Sequence, residues 1–294
     1  MLPTSFRLNL PFNYIQSVRL AHAIMETDYQ VCLSPEDQAK FSLLKQKFGA
    51  KYTITQDPMP VLSGLKISHS ELKTSVGSIQ RSLVYPHAIF DYCRELWPKQ
   101  RESRFVFAGL VTGQRRTFFE NLLDRNYPGT QFDLDSWIQP NLWSRIKLKL
   151  AQELGIKYIP KAAKHQCNDI VLWSSQRGRS YPIKAWDDEY FKLMAKAEFV
   201  LCPNGDYVWT YRFFEAVMCG AIPVIESDCS AYDGFRFQTI ATPLSNMTWS
   251  REDAEHNYHL CRSRLTIPKD LLEAEIEKLL AGNSIAPDKQ LLGG

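Results

Sequence analysis

The chain has 294 residues, 45% of them hydrophobic and 23% charged, which is the balance of a folded globular protein with enough apolar side chain for a sizeable core. Its 35 basic and 32 acidic residues leave a net charge of +3, too small an excess to point to nucleic acid or to an anionic membrane surface. No run approaches the roughly 18 to 20 apolar residues needed to span a bilayer, and no basic N-terminal region leads into an apolar stretch, so the expected protein is cytoplasmic and has no transmembrane segment. Seven cysteines, scattered and without a Cys-x-x-Cys pair, argue against a disulfide framework and against a zinc site.

Before about residue 100, short β-like runs at Tyr29 to Leu33, Tyr52 to Thr55, Leu65 to Ser68 and Ser82 to Tyr85 alternate with helical or turn-rich segments such as Gln38 to Phe48. This is the pattern of a small α/β lobe. Asp57 follows the second of these runs and His69 follows the third, which makes them candidates for a general base, with Glu71 and His87 as further possibilities. Ordinary loop hydrogen bonding is the competing reading for each. Trp97 to Ser103 is charged and poor in apolar residues after its tryptophan, and predicts a linker.

Phe105 to Gly109 then reads as a strand entering a loop, and Arg115 to Leu123 as the helix that follows. Gly109 and Gly113 can bring backbone close to a ligand, and Arg115 or Arg116 can meet an anion at the helix start. The competing reading is a loop with two solvated arginines. Leu142 to Leu154 has a helical pattern ended by Gly155, and Asp169 to Trp173 is a short strand followed by a polar loop that carries Arg177 and Arg179. That loop either reaches an anion or is simply basic. Asp187 can cap a helix over Asp188 to Lys196, and the alternation of strand and helix from Phe105 to Ile225 predicts a parallel sheet.

The stretch Leu201 to Ile225 is the most informative. An apolar strand ends at Pro203-Asn204-Gly205-Asp206, a helix opens near Thr210, and Gly220 can close it in the left-handed conformation before the buried strand Ala221 to Ile225. Arg212, in the first turn, can grip a phosphate, and Glu215, at i+3, can accept from a ribose or sugar hydroxyl pair. The same spacing equally describes an Arg–Glu pair on a solvated face. Beyond it, Asp228, Tyr232 and Asp233, in the turn-rich segment Ser227 to Trp249, are candidate polar contacts of a cleft wall or serve loop hydrogen bonding and packing, and His256 and His259 read as surface or packing residues. Leu271, Leu272, Ile276, Leu279 and Leu280 form an apolar stripe in a last helix closed by Gly282.

Ala195 to Gly205, followed by Tyr211-Arg212, Glu215-Ala216 and Gly220-Ala221-Ile222-Pro223-Val224-Ile225, resembles the donor-binding signature of exostosin-like glycosyltransferases. The resemblance is close over Trp186 to Asp228. It implies an α/β fold of GT-B type, with two Rossmann-like lobes facing a cleft: a small acceptor-side lobe over 1–100, a nucleotide-sugar donor lobe over 101–250, and a C-terminal helical segment over 251–294 packing back toward the first lobe. It also implies an inverting enzyme that needs no cofactor or metal and moves a sugar, with a pentose such as xylose as the working choice, from a UDP-sugar to a glycan acceptor.

On this resemblance Arg212 holds the diphosphate and Glu215 the ribose, with Gly109, Arg115, Arg116, Arg177, Asn204, Gly205 and Tyr211 around the donor and Asp57 or His69 as base. Asp133-Leu-Asp135 is similar to the Asp-x-Asp of metal-dependent glycosyltransferases, but it follows the turn Tyr127-Pro128-Gly129 rather than a long apolar strand, and is not taken as a metal site. Exostosin relatives are typically membrane-anchored and lumenal, so a cytosolic chain points to a microbial or viral relative. Two alternatives stay open: a GDP-sugar-dependent, fucosyltransferase-like enzyme, and a noncatalytic nucleotide-sugar or glycan-binding module.

Overall fold

A computed structural model describes residues 4–111, 113–129, 146–147, 150, 164–174 and 176–283. Asp133, Asp135 and, apart from 146–147 and 150, the expected helix Leu142 to Leu154 lie outside the described residues, as does the tail from 284 onward. The chain divides into two compact units, one formed by Met1–Asp91 with Arg262–Gly294 and the other by Tyr92–Cys261. No described helix is long and apolar enough to cross a membrane.

In the first unit, β1 (Ser5–Leu8), β2 (Gln30–Leu33), β3 (Tyr52–Ile54) and β4 (Val61–Leu62) form a parallel sheet in the order β3-β2-β1-β4. Parallel neighbours need crossover connections, and α1 (Ile15–Ile24) and α2 (Pro35–Phe48) supply them. Ser34 caps α2 by accepting from the Asp37 amide at 3.3 Å, and Gly49, at φ 65°, ends it.

A separate antiparallel sheet joins β5 (Leu65–Ser68), β6 (Lys73–Val76) and β7 (Ile79–Arg81). The strand expected at Ser82 to Tyr85 is absent. Its apolar side chains are buried without ladder pairing, and the Tyr85 amide instead donates to Leu265 O at 2.8 Å. The last helix of the described chain, Lys269–Asn283, packs on β4 and β6 of this unit, with Leu272, Ile276 and Leu280 buried and the Glu275 carboxylate accepting from the Ser78 amide at 2.5 Å. Leu271 is exposed rather than part of the buried stripe, and the helix runs through Gly282 instead of stopping there.

The second unit is built on a six-stranded sheet. Its strands, in chain order, are β8 (Ser103–Gly109), β9 (Lys164–Cys167), β10 (Ile170–Ser174), β11 (Ala197–Cys202), β12 (Ile222–Ile225) and β13 (Gln238–Thr239), arranged in space as β13-β12-β11-β8-β10-β9. All pair in parallel except the edge strand β9. Strands β8 and β11 sit at the centre and are buried almost throughout, because a parallel sheet covered on both faces selects continuous apolar runs. Phe105 stacks on Phe199 across the two strands at 5.2 Å, and the helix Gly113–Asn126 packs Phe119 edge-on against Phe107 at 4.7 Å.

The segment expected as a linker is built into this unit. Trp97 Nε1 donates to Met218 O at 3.0 Å, while Arg101 donates to the carbonyls of Ala195, Ala197, Cys219 and Gly220. These acceptors surround the amino ends of β11 and β12, so the charged run that reads as solvated is an anchor. The division between the units falls at Asp91/Tyr92, upstream of that run, and residues from Arg262 belong with the first unit. Parallel sheets in both units make the protein α/β.

Candidate functional site

The carboxyl ends of β8 and β11 meet the start of the helix Tyr211–Met218. This is the edge of a parallel sheet where α/β proteins bind ligands. Thr210 caps the helix, its hydroxyl accepting from the Phe213 amide at 3.3 Å, while its own amide donates to the Tyr232 hydroxyl at 2.9 Å. Tyr232 stacks on Phe213 with ring centroids 3.8 Å apart, which fixes the helix start against the core. At the other end, Gly220 at φ 74° closes the helix, as its place in the sequence predicts.

Arg212 and Glu215 are 8% and 6% exposed, which removes the reading of a solvated ion pair. The Arg212 guanidinium lies over the Phe107 ring at 4.5 Å, and its Nε donates to Ala108 O at 2.6 Å. Its Nη1 is buried with no partner among the described residues. Glu215 accepts from the Tyr190 hydroxyl at 2.7 Å. Burial, and after it the neighbouring Glu215 charge, hold the Tyr190 phenol well above its ordinary pKa, so it remains a donor to that carboxylate.

Arg115 reaches the same edge from the third residue of the helix Gly113–Asn126. Its Nε donates to Asn204 O at 3.2 Å and its Nη1 to Leu110 O at 2.7 Å. Burial first, and the Arg212 charge second, lower its pKa to about 10, so it stays protonated at neutral pH beside another cation. Neither arginine is ion-paired among the described residues. Asp206 draws the Arg115 pKa upward from the exposed turn without forming an ion pair with it among those residues. At the end of β11, burial pushes the Cys202 thiol up to about 12, against the pull of Arg212 and Arg115, so it is a neutral packing group.

The glycines act through space. A Cβ on Gly109 would collide with Arg212 Nη2 and approach the Phe107 ring at 2.9 Å, and one on Gly205 would come within 2.8 Å of Arg115 Nη2. Both therefore admit an arginine rather than a special turn. Asn204 donates from its amide nitrogen to Ser227 Oγ at 3.2 Å, its backbone N–H donates to Glu226 at 3.2 Å, and its Oδ1 is buried without a partner. Tyr211 starts the helix beside Trp209, edge to face at 5.1 Å.

Six expected donor residues, Gly109, Arg115, Asn204, Gly205, Arg212 and Glu215, are thus drawn to one strand edge, and Tyr211 opens the helix there. Arg116 is not among them: it pairs at 3.0 Å with Glu120, one turn along on an exposed face. Arg177 stands in a short helical turn, Gln176–Arg179, after β10, and its side chain lies outside the described residues. The two expected bases belong to the first unit. The Asp57 carboxylate is exposed and accepts from the Thr55 hydroxyl at 3.0 Å, in a local turn. His69 packs its ring 5.2 Å from Tyr14, and burial lowers its pKa, leaving the ring neutral at pH 7. Among the described residues, no three His, Cys, Asp or Glu side chains gather as metal ligands would.

Sequence reasoning missed Tyr190 and Phe107, which orient Glu215 and Arg212, and it named Tyr232 as a polar contact of the cleft wall without seeing its role at the helix cap. Their partners stand 22 to 105 residues away in the chain, where no local pattern signals a contact.

A pair of guanidiniums beside a capped helix start in an α/β unit is an arrangement that suits an anion. Residues 78–232, more than half of the chain, match the exostosin GT47 domain, and the chain belongs to that family of glycosyltransferases. No curated protein sequence matches it significantly. Among solved structures, the GtfA/B complex is 13% identical, with 86% of this chain and 45% of that one covered at a TM-score of 0.33. Anabaena Alr3699/HepE in complex with UDP-glucose is 10% identical, with 96% and 72% covered at 0.33. The pneumococcal O-GlcNAc transferase GtfA in complex with UDP and GlcNAc is 11% identical, with 86% and 42% covered at 0.24. The chain spans less than half the length of the first and third of these, and the family assignment rests on the domain match alone.

Proposed function

We propose that the protein is an inverting glycosyltransferase that moves a sugar from a UDP-sugar to a glycan acceptor. The observation that carries this reading is the pair of Arg212, buried, and Arg115, half-buried, neighbouring cations with no carboxylate ion-pair partner among the described residues, Arg212 with an unmatched Nη1 there. Buried donors without partners are rare and costly, and a diphosphate would satisfy both the charge and the hydrogen bonds. Glu215, held by Tyr190, would then accept from the ribose hydroxyls.

In the reaction, the acceptor oxygen attacks the anomeric carbon as the bond from that carbon to the diphosphate oxygen breaks. UDP leaves with the bonding electrons, and the acceptor proton passes to a base. Charge grows on the leaving diphosphate, where two fixed guanidiniums stabilise it without reorganising. On this account they do the work a metal ion does in other transferases. Of the two candidate bases His69 is the one proposed, its ring kept neutral by burial and so able to take a proton.

The test is release of UDP from a donor panel that includes UDP-xylose, UDP-glucose and GDP-fucose, run with glycan acceptors, with and without EDTA. The expected outcome is acceptor-dependent UDP release insensitive to EDTA, with inverted products by NMR and an acid limb below pH 6.5 that disappears with His69→Gln together with kcat. Turnover of GDP-fucose alone, or nucleotide binding without turnover on any donor, contradicts the proposal.

A further inference from the structure

The loop between β11 and the helix Tyr211–Met218 does more than shape Arg115. Tyr207 and Trp209 lie parallel, with ring centroids 5.6 Å apart and an interplanar angle of 4°. Tyr207 and the intervening Val208 are 42% and 43% exposed, an unusual expenditure of large apolar side chain on a turn held so firmly. The Gly205 amide donates to Tyr207 O at 3.1 Å on one side of the pair, and the Thr210 cap, tied to Tyr232, fixes the other. The rings are therefore presented on an ordered support.

The polar groups nearby are left incomplete. Trp209 Nε1 and Asn204 Oδ1 are buried without partners among the described residues, and exposed Asp206 adds a carboxylate to the same turn. Together with Arg212 Nη1, this puts three unmatched polar atoms within residues 204–212. Those on Asn204 and Trp209 belong to the loop that carries the exposed rings, where a polar ligand edge could meet them.

We propose that Tyr207 and Trp209 form a ledge on which a saccharide ring stacks, either the sugar carried by the donor or the terminal ring of the acceptor. A pyranose presents a face of C–H groups polarised by its oxygens, which suits the negative face of a flat aromatic ring, and a rim of hydroxyls that needs donors and acceptors at the edge. Asp206 and Asn204 supply that rim. The ledge stands on the loop whose Asn204 carbonyl holds Arg115, so the inference rests on the donor reading above for the place of the nucleotide.

The experiment has two arms on the full chain. Calorimetry measures UDP and UDP-glucose against wild type, Tyr207→Ala and Tyr207→Phe, and a printed glycan array, free of nucleotide, measures saccharide binding by the same proteins. If the ledge holds the donor sugar, Tyr207→Ala weakens UDP-glucose by about tenfold while UDP stays within about twofold. If it holds the acceptor, array binding falls by about tenfold and both nucleotides are unchanged. Tyr207→Phe, which keeps the ring, stays within about twofold of wild type in either case. The proposal is overturned if Tyr207→Ala matches wild type on both arms, if UDP and UDP-glucose weaken equally, which would make the ledge a nucleobase contact, or if wild type binds no saccharide on either arm. A chain that binds no UDP at all but whose array signal depends on Tyr207 would separate failure of the donor reading from failure of the ledge.

Discussion

The two ends of the second unit's sheet each hold arginine partly or wholly out of solvent, and they use it differently. At the amino end, Arg101 is held to about 10 by burial, yet its Nη groups point at four backbone carbonyls and its guanidinium lies within 5.5 Å of the Trp97 ring and 5.1 Å of the Trp249 ring. Among the described residues its Nε has no partner. At the carboxyl end, Arg115 is lowered to about the same value, but its second cause is another arginine, and that arginine has an unmatched Nη1. Burial and a depressed pKa are common to both ends. The hydrogen-bond inventory differs: Arg101 ties strands together through four carbonyls, whereas Arg212 donates to one, and on the proposed function a ligand completes it.

The sharpest way to break this contrast is to exchange the expected losses. Arg212→Ala should weaken UDP binding by about 2 to 4 kcal/mol, the scale of a lost charge-assisted bond in a closed site, and barely shift the melting temperature. Arg101→Ala should do the reverse: it strands several buried carbonyls, costs on the order of 3 kcal/mol of stability in denaturant titrations, and leaves UDP affinity within about twofold. If both variants lose stability alike and neither loses affinity, the two ends are equivalent and the contrast is void.

Gly109→Ala sharpens the account one step down. The new methyl would occupy the space of Arg212 Nη2 and press on Phe107, so the guanidinium must swing away. A loss of about 1 to 2 kcal/mol in UDP affinity is expected, with the fold retained to within about 1 kcal/mol by denaturant titration. The smallest effect belongs to Arg116→Ala. It deletes an exposed i,i+4 pair with Glu120, and UDP affinity and stability should both stay within about 0.5 kcal/mol.

Much of this edge was legible in the sequence because its signals are local. The turn at Asn204-Gly205, the capping role of Asp187, the left-handed Gly220 and the burial of β11 and β12 each follow from neighbours within one helical turn or one strand. Arg101 was not legible. A run such as Lys99-Gln100-Arg101-Glu102 reads as solvated because its partners, the carbonyls near Ala195 and Gly220, stand 94 to 119 residues away. The same holds for Tyr190, which reaches Glu215 only through the packed fold. Arg115 and Arg116 look alike as sequence, and helix phase alone decides that one turns to the strand ends and the other to water. In the first unit, Ser82 to Tyr85 carries a strand's composition but no ladder, since its apolar side chains are buried by packing and not by pairing.

The central claim is that Arg115 and Arg212 jointly hold one diphosphate. Calorimetric titration of UDP against wild type, Arg115→Ala, Arg212→Ala and the double variant tests it most directly. Two cations sharing one ligand predict a large loss for each single variant and a double variant only slightly worse than the weaker single, a coupling of about 1 to 3 kcal/mol. Wild-type affinity in both single variants would contradict the claim.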